Sequence, residues 1–172
     1  VVRVAKQYGA EYFDGDRKYG YGGYGYDGRW RQVARDIIAH YFSGSIRETI
    51  GHIHFMTAGG ARILDVGCAK GFLVSDLCSC SPDVDAYGLD VSCYAAVKKP
   101  HLGVVGRLHL GEADALPFPD KSFDLVLSIN TLHNLPRPRL IQALREMRRV
   151  SRGRMFVQVD SYRTPEEKAL FE

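Results

Sequence analysis

The stretch Arg62-Ile-Leu-Asp-Val-Gly-Cys-Ala-Lys-Gly71, residues 62–71, places a short apolar run directly before a turn with two glycines. Residues 62–66 have the length and the branched side chains of a buried strand. Glycine permits a tight turn and a close approach of the backbone to a ligand. Residues 70 to about 80 are predicted to be the helix that follows. A strand, a glycine turn and a helix in this order are typical of an α/β domain.

The same alternation continues along the rest of the chain. Further strands are predicted at residues 86–90, 103–110, 123–130 and 155–159, and further helices at residues 92–99, at 138–150 and from Thr164 onward. The helix at 138–150 repeats apolar residues on one face, and a proline after Thr164 suits a first helical position. Strands that alternate with helices imply right-handed crossovers. Residues 61–172 are therefore predicted to form an α/β domain with a doubly wound, Rossmann-like, mostly parallel sheet.

Residues 1–60 differ from the rest, because they show no strand pattern. The tract Tyr19-Gly-Tyr-Gly-Gly-Tyr-Gly-Tyr-Asp-Gly28 contains too much glycine for a stable helix. Residues 30–42 repeat apolar residues at helical spacing, and residues 46–56 are predicted to be a second, weaker helix. The tract has two interpretations, a lid over a binding site, which we favour, and an exposed tail. The chain is thus divided into a Tyr/Gly-rich lid with a helical extension at 1–60 and the α/β domain at 61–172.

The composition is that of one globular domain. The chain has 172 residues, of which 45% are apolar and 25% charged, and its formal net charge is +3. These values exclude a disordered tail and a collagen-like fibre, and the apolar runs are too short to cross a bilayer. The four cysteines show neither disulfide nor zinc spacing, so we expect reduced thiols, no metal site and a cytoplasmic protein. The mild positive charge does not demand an anionic partner.

Polar residues follow the predicted strands at the edge of the sheet where α/β proteins bind ligands. Asp65 and Asp90 end the first two strands, Asp114 follows the third, and Asn130 ends the fourth. A dinucleotide site would need the spacing G-x-G-x-x-G, whereas Asp65 would repel a pyrophosphate and suit a cationic amino group. Asp90 stands about 20 residues after Gly71, where an acid binds ribose hydroxyls. These residues predict a site for an ammonium group, a ribose and an adenine, without phosphates.

Four segments in order resemble the motifs of class I S-adenosylmethionine-dependent methyltransferases. They are Ile63-Leu-Asp-Val-Gly-Cys-Ala-Lys-Gly71, Gly88-Leu-Asp90, Gly111-Glu-Ala-Asp-Ala-Leu-Pro-Phe-Pro119 and Ser122-Phe-Asp-Leu-Val-Leu-Ser-Ile-Asn130. The resemblance covers residues 61 to about 160 and is greatest to the small-molecule methyltransferases of bacterial metabolism. It implies the methyltransferase fold, S-adenosylmethionine as the cofactor and S-adenosylhomocysteine as the product.

The resemblance implies roles for the residues around the methionine part of the cofactor. Asp65 and the loop that contains Gly67, Cys68 and Gly71 are expected to hold this part. Cys68 is expected to pack in the loop and not to act as a nucleophile. The family's loop has a third glycine where this chain has Ala69, which is the one departure from the pattern.

The resemblance also implies contacts for the adenosine part. Asp90 is expected to accept hydrogen bonds from the ribose hydroxyls, and Val91 to lie against the adenine. Asp114 is expected to accept from the adenine amine, the Ala115 amide to donate to the ring, and Asn130 to lie under the sulfonium. Each aspartate has an alternative role as a helix or turn cap.

The predicted methyl acceptor is a small molecule, such as a sugar or natural-product hydroxyl. His133 follows the fourth strand and is the candidate base, because an unperturbed imidazole titrates at about pH 6.5. The alternative is a histidine that only packs or hydrogen-bonds near the site. Seven arginines in and after the helix at 138–150 are interpreted as its solvated side, with a phosphate-binding face as the alternative: Arg137, Arg139, Arg145, Arg148, Arg149, Arg152 and Arg154.

Two rival functions stay open at this point. One is an RNA methyltransferase that uses the arginines, although a nucleic acid is not the expected partner, and the other is a non-catalytic module that binds S-adenosylmethionine. Members of the family close their sheet with two further strands that this sequence does not reach, so we expect a domain that is incomplete at its C-terminus. An uncovered sheet edge is then expected to favour self-association, as a homodimer.

Overall fold

The computed structural model describes residues 2–42, 46–49, 52–55, 60–160 and 164. The strands are β1 Ile46–Thr49, β2 His52–Phe55, β3 Ala61–Val66, β4 Val84–Asp90, β5 Leu108–Leu110, β6 Phe123–Ile129 and β7 Ser151–Gln158. The helices are α1 Val2–Ala5, α2 Ala10–Asp14, α3 Trp30–Phe42, α4 Phe72–Cys80 and α5 Arg137–Val150. Short 3-10 turns lie at Arg17–Tyr19, Leu102–Val104 and Leu132–Asn134, and a π-helical turn lies at Tyr94–Lys98.

A parallel sheet of five strands forms the centre of the described structure. Its strand order is β5-β4-β3-β6-β7, and the register pairs Ile63 with Ala86 on one side and with Leu125 on the other. The chain leaves β3 for β4 on one side and later returns to β6 on the other. Such a reversal opens a crevice at the carboxyl ends of the central strands. The predicted α/β class and doubly wound sheet are confirmed.

Two apolar layers cover the two faces of this sheet. Successive residues of a strand point to opposite faces, so Ile63 and Leu64 belong to different layers. Helices α3 and α4 cover the face of Ile63 with buried residues such as Ile38 and Leu77. Helix α5 covers the face of Leu64 through residues that include Met147. Close packing on both faces holds the ends of the central strands in fixed positions.

The predicted helix at residues 46–56 is wrong. Strands β1 and β2 stand there instead and pair antiparallel, with Ile46 opposite Phe55 and Thr49 opposite His52. The sequence of β2 alternates histidines with apolar residues, which is the two-residue period of a strand. β-branched residues on both sides of Gly51 favour strands as well. The segment satisfies helical spacing only in part.

Three other boundaries differ from prediction. Strand β5 occupies only the last three residues of the strand predicted at 103–110. A 3-10 turn precedes it, and Gly106 adopts a φ of +82° that interrupts an extended chain. Strand β7 begins at Ser151, directly after α5. One π-helical turn replaces the predicted helix at residues 92–99. Apart from Thr164 itself, the predicted last helix lies outside the described residues.

Strand β7 lies at the edge of the sheet as described, and it is rich in exposed apolar side chains. Phe156 and Val157 are 37% and 38% exposed. Self-association along this edge stays a prediction. No helix within the described ranges has both the length and the apolar character needed to cross a membrane.

Candidate functional site

Two buried carboxylates lie at the carboxyl ends of neighbouring strands. Asp65 on β3 is 5% exposed, and Asp90 at the end of β4 is 9% exposed. Asp90 accepts hydrogen bonds from the backbone N–H groups of Ala69 at 2.8 Å and Ser92 at 2.7 Å. The strand pairing that fixes Asp65 beside Gly88 also brings the end of β4 close to it. The two acids that the sequence predicted are thus brought together.

Burial of both carboxylates disfavours their ionised forms and so raises their pKa values. Burial raises the pKa of Asp65 to about 7, with a further contribution from the negative charge of Asp90. Burial also raises the pKa of Asp90, although the hydrogen bonds from Ser92 and Ala69 oppose this shift. Two like charges in a low-dielectric site favour a bound cation that can compensate them. The site is therefore suited to a ligand with a positive group near Asp65.

The turn after β3 is shaped by residues with positive φ. Gly67 has a φ of +87°, and a Cβ added there would lie 2.0 Å from the Thr131 Oγ1, so no side chain fits. Ala69, which replaces the family's glycine, still adopts a φ of +50°. Gly71, at a φ of +80°, ends the turn and begins α4. The alanine is accommodated in a left-handed conformation, which its small side chain tolerates at a modest energetic cost.

A cavity of about 400 Å³ lies between this turn and the N-terminal segment. Its floor includes Asp65, Gly67, Cys68 and Ala69. Its other walls come from the Tyr/Gly tract and its neighbours, from the start of α4 and from the end of β6. They comprise Arg17, Tyr21, Gly23, Tyr24, Gly25, Asp27, Arg29, Trp30, Phe72, Leu73, Ile129, Asn130 and Thr131. Burial, together with the charges of Asp65 and Asp90, raises the pKa of Cys68 well above its usual range. A buried thiol with a raised pKa is poorly suited to act as a nucleophile, and the packing role of Cys68 stays a prediction.

The cavity continues toward Asp90. A second space of about 310 Å³ shares Gly67 and Thr131 with the first, and its further lining residues are Lys6, Tyr8, Leu89, Asp90, Val91, Gly111, Glu112, Ala113, Asn134, Leu135, Pro136 and Arg139. A smaller space of about 100 Å³ connects the two beneath Tyr12 and Tyr21. Val91 is 53% exposed toward these spaces. The three spaces together run along the carboxyl ends of β3 and β4.

Two predicted adenine contacts are engaged elsewhere. The Arg139 guanidinium donates to both Asp114 oxygens, at 2.6 and 2.7 Å, and holds the pKa of Asp114 below its usual value. The Ala115 N–H donates to the Glu112 carbonyl at 3.2 Å. Neither Asp114 nor Ala115 lines the cavities, whereas Arg139 does. The arginine that covers Asp114 was not predicted as a site residue.

Asn130 and His133 have different positions relative to the cavity. Asn130, with a φ of +52°, lies at the end of β6 and lines the wall next to Gly67. His133 lies in the 3-10 turn Leu132–Asn134, half-buried, and does not line the cavities described here. Its Nδ1 is buried and has no hydrogen-bond partner within the described residues. The neighbours Thr131 and Asn134 face the cavities instead.

Sequence reasoning missed the aromatic residues that precede the Tyr/Gly tract. Tyr8, Tyr12 and Phe13 pack together, with ring centroids 5.1 Å apart in both neighbouring pairs, and line the connecting space. Tyr8 also accepts a hydrogen bond at its carbonyl oxygen from the Ser92 hydroxyl, next to Asp90. The signal available in the sequence was the group of aromatic residues itself; helical spacing does not explain the contact, because Tyr8 has a φ of +47° and lies between α1 and α2.

Four of the seven arginines near α5 are occupied within the protein. Arg139 binds Asp114, and Arg149 binds Glu146 and Asp120. Arg152 pairs with Asp124, and Arg154 donates to the Tyr41 carbonyl. These four side chains are less available to a phosphate, which disfavours a continuous phosphate-binding face. The sequence predicted a solvated side, and the ion pairs within the protein were not part of that prediction.

A further groove of about 610 Å³ adjoins the first cavity between α3 and the ends of β6 and β7. Four residues line both spaces: Arg29, Trp30, Ile129 and Asn130. The rest of its wall is mostly apolar or aromatic and comprises Val33, Asp36, Ile37, His40, Tyr41, Phe156 and Gln158. The groove thus provides an apolar surface that begins where the polar cavity ends.

Comparisons with known proteins agree with this arrangement. The family model of a methyltransferase domain matches residues 63–153. A fatty-acid O-methyltransferase of Mycolicibacterium smegmatis is 36% identical over 118 residues, 64% of this chain and 42% of that protein. A demethylmenaquinone methyltransferase of Geobacillus kaustophilus is 38% identical over 100 residues, 54% of this chain and 42% of that protein.

A comparison with solved structures shows the same fold. The structure of S-adenosylmethionine-bound CalS10, an amino pentose methyltransferase from Micromonospora echinaspora, has a TM-score of 0.58 at 21% identity, over 80% of this chain and 52% of that one. The chain spans less than half the length of the curated relatives it matches. The family match covers the glycine turn, both buried acids and most of the sheet. The chain therefore belongs to the methyltransferase domain family, with the fold of the class I S-adenosylmethionine-dependent methyltransferases.

Proposed function

We propose that the protein transfers a methyl group from S-adenosylmethionine to a small molecule with an apolar body. The observation that carries the proposal is the pair of buried carboxylates, Asp65 and Asp90, under one continuous cavity. Adenosylmethionine has a cationic amino group and a ribose diol but no phosphate. Its cationic amino group and its ribose hydroxyls fit a site with two buried carboxylates, whereas the pyrophosphate of a dinucleotide would be repelled by them.

The amino-acid end of the cofactor would lie in the space between Asp65 and the Tyr/Gly tract. Asp65 would accept from the ammonium group, and an arginine in the same wall would bind the carboxylate. Arg29 is held by Asp27 at 2.5 Å, whereas the only hydrogen bond of the Arg17 side chain within the described residues goes to the Tyr21 carbonyl at 2.7 Å. Arg17 is therefore the arginine we assign to the carboxylate.

The adenosine end would lie in the space beside Val91. Asp90 would accept from the ribose hydroxyls while keeping its two backbone hydrogen bonds, since each carboxylate oxygen has two lone pairs. Asp114 and the Ala115 amide remain the predicted partners of the adenine. Because Arg139 already binds both Asp114 oxygens, it would fix the direction in which this carboxylate faces the base.

The bound cofactor supplies an electrophilic methyl group on a sulfonium. The chain's own part is to align the two reactants and to exclude water from them. Asn130 suits this role, because it lies on the wall shared by the polar cavity and the apolar groove. Aromatic residues of the N-terminal segment lie over the same space and form the lid that we propose for residues 1–60.

The groove beside Asn130 favours an acceptor with an apolar body. Trp30, Val33 and Phe156 offer surface to a chain or a ring system, and a bare sugar would leave this surface unused. Two relatives are named for lipid-like substrates, a fatty acid and a demethylmenaquinone, which supports the same class. Among the predicted acceptors, a natural-product hydroxyl fits this surface better than a sugar.

For a hydroxyl acceptor, His133 stays the predicted base. The change His133→Gln would then lower kcat at neutral pH and remove the imidazole from the pH profile of kcat, with little change in cofactor affinity. An unchanged kcat would assign His133 the packing role that its position outside the cavities favours.

Calorimetric titration of the chain with S-adenosylmethionine, S-adenosylhomocysteine and NAD tests the cofactor. The first two are expected to bind and NAD is not. Asp90→Ala should weaken binding by about a hundredfold, as expected when a charge-assisted hydrogen-bond acceptor is lost from a buried site. Asp85→Ala is the matched control, because Asp85 lies on the same strand but pairs with Arg107 outside the cavities.

Methyl transfer to candidate acceptors tests the rest of the proposal. Transfer of labelled methyl to a long-chain or polycyclic hydroxyl or carboxyl compound would support the proposal. Transfer to RNA with a steep dependence on salt would favour the nucleic-acid alternative. Binding of cofactor with no transfer to any acceptor would favour a non-catalytic module.

A further inference from the structure

A buried lysine joins the glycine turn to the N-terminal segment. Lys70 lies inside the turn between Gly67 and Gly71 and is only 8% exposed. Its Nζ donates to both Asp14 oxygens, at 2.7 and 2.8 Å, and to the Tyr24 carbonyl at 2.8 Å. All the donors of this ammonium group are thus used within the protein, so Lys70 is not available to a ligand.

Asp14 also binds Tyr24, the residue of the Tyr/Gly tract whose carbonyl accepts from Lys70. It accepts from the Tyr24 N–H at 3.1 Å and from the Tyr94 hydroxyl at 2.7 Å. Partial burial opposes ionisation, but the hydrogen bonds from Lys70, Tyr94 and Tyr24 together keep the pKa of Asp14 below its usual value. The backbone of Tyr24 is therefore fixed at its N–H by the acid and at its carbonyl by the base of one ion pair.

Tyr24 belongs to the part of the tract that covers the cavity, which we call the roof, residues 21–25. Four of these five residues line the cavity above Asp65. The Tyr24 ring packs on Phe72 at 4.9 Å and on Tyr21 at 4.3 Å. A ligand in the space between roof and turn would be covered on one side by the roof. The turn is fixed by β3 and α4, so the roof is the side that can move away from a ligand.

We propose that Asp14 and Lys70 form a latch that holds the roof closed and sets the rate at which the cofactor leaves. The inference rests on the proposed function, because it assumes that the cofactor lies beneath the roof. Asp14 and Lys70 are positioning residues, since they act through Tyr24 and do not touch the ligand. The latch also explains why a lysine can stand buried in a turn that binds a cationic molecule: Asp14 neutralises it locally.

The chain has a built-in probe for this test. Trp30 is its only tryptophan and lines the wall of the cavity, so its fluorescence should report the arrival and departure of S-adenosylhomocysteine. Dissociation rates are measured by stopped-flow dilution for the wild type, Asp14→Asn, Lys70→Met and the double variant. Each single change should accelerate dissociation about tenfold, because each breaks a charge-assisted hydrogen-bond network. The double variant should dissociate no faster than the faster single variant, since both changes open one latch.

Asp16→Asn is the matched control. Asp16 lies in the same segment and pairs with the exposed Lys18. S-adenosylhomocysteine should therefore dissociate from this variant at the same rate as from the wild type. If either single change alters the rate by less than about threefold, or if the two effects multiply in the double variant, the latch is refuted. Should Asp14→Asn fail to fold, Tyr94→Phe removes one hydrogen bond to Asp14 and should give a smaller acceleration in the same direction.

Hydrogen exchange distinguishes failure of the latch from failure of the proposed function. The Tyr24 amide should exchange faster in Asp14→Asn than in the wild type without any ligand present. If S-adenosylhomocysteine does not bind the wild type but this amide is protected by Asp14, the proposed function fails and the latch on the roof stands. If the ligand binds and neither exchange nor dissociation changes, the latch fails and the function stands.

Discussion

Asp65 and Asp90 make the stability of the ligand-free protein depend on pH. The pKa of Asp65 rises from an ordinary value of 3.8 to about 7 on folding, because the carboxyl is buried beside another acid. Between these pH values the folded chain retains a proton that the unfolded chain loses. The free energy of unfolding is therefore expected to fall as pH rises from about 4 to about 7, by up to about 4 kcal/mol from this group.

Urea unfolding at pH 5 and pH 7.5 measures this effect. Asp65→Asn cannot ionise, so the difference in stability between the variant and the wild type should grow in favour of the variant as the pH rises. A difference that is the same at both pH values would show that Asp65 ionises in the folded chain as readily as in the unfolded one.

The same carboxyl should couple cofactor affinity to pH. A ligand ammonium group needs the ionised form of Asp65, so binding below about pH 7 should release a proton. The affinity for S-adenosylhomocysteine is expected to be about tenfold weaker at pH 6 than at pH 8. Calorimetry in two buffers with different ionisation enthalpies counts the released proton directly. No proton release at pH 6 would mean that Asp65 does not face the ammonium group.

Gly67 is expected to tolerate no side chain. Its φ of +87° disfavours other residues, and a Cβ would lie 2.0 Å from the Thr131 Oγ1. Gly67→Ala should lower the free energy of unfolding by about 2 to 5 kcal/mol, from backbone strain and overpacking together. Gly106→Ala separates the two causes, because Gly106 has a similar φ of +82° but nothing within 4 Å of an added Cβ. Equal losses in the two variants would rule out the contact with Thr131.

At the scale of elements, one hydrogen bond ties the Tyr/Gly tract to α4. The Tyr26 hydroxyl donates to Asp76 at 2.6 Å, and the other oxygen of this buried carboxylate has no partner within the described residues. Tyr26→Phe should therefore lower the free energy of unfolding, because the buried Asp76 carboxylate loses this hydrogen-bond donor. Tyr19→Phe, in the same tract, should change it by no more than about 0.5 kcal/mol. Equal values for the two variants, measured by urea unfolding, would show that the bond to Asp76 contributes nothing.

Helices and strands were predictable where the pattern of apolar residues in the sequence matches the face that packs in the structure. Helices α3 and α5 keep an apolar face toward the sheet, and β3 and β6 are buried on both faces, so their sequences carry clear signals. Residues 46–55 carry a mixed signal, and strand pairing between β1 and β2 decided their structure. Strand β5 was overestimated because the φ of Gly106 is a tertiary feature that the apolar run around it does not reveal.

At the scale of the whole molecule, some residues of the candidate site are positioned by their own strand and turn, and others by contacts between residues far apart in the sequence. Asp65 and Asp90 lie at the carboxyl ends of their strands and Gly67 directly follows β3, so the order of strand, turn and helix was enough to predict their place. The pairing of Asp114 with Arg139 joins residues 25 positions apart, and a sequence pattern does not contain it. The contact between Asp14 and Lys70 spans 56 positions and depends on how the N-terminal segment folds over the sheet.

The central claim is that the cavity along β3 and β4 is the site of S-adenosylmethionine. A crystal structure of the chain with S-adenosylhomocysteine tests it most directly. We expect the ribose hydroxyls within hydrogen-bond distance of Asp90, the ammonium group at Asp65 and the thioether beside Asn130, under a roof that is closed by Asp14 and Lys70. A ligand bound away from both carboxylates, or with its adenine at Asp65 and its amino-acid end at Val91, would contradict the account.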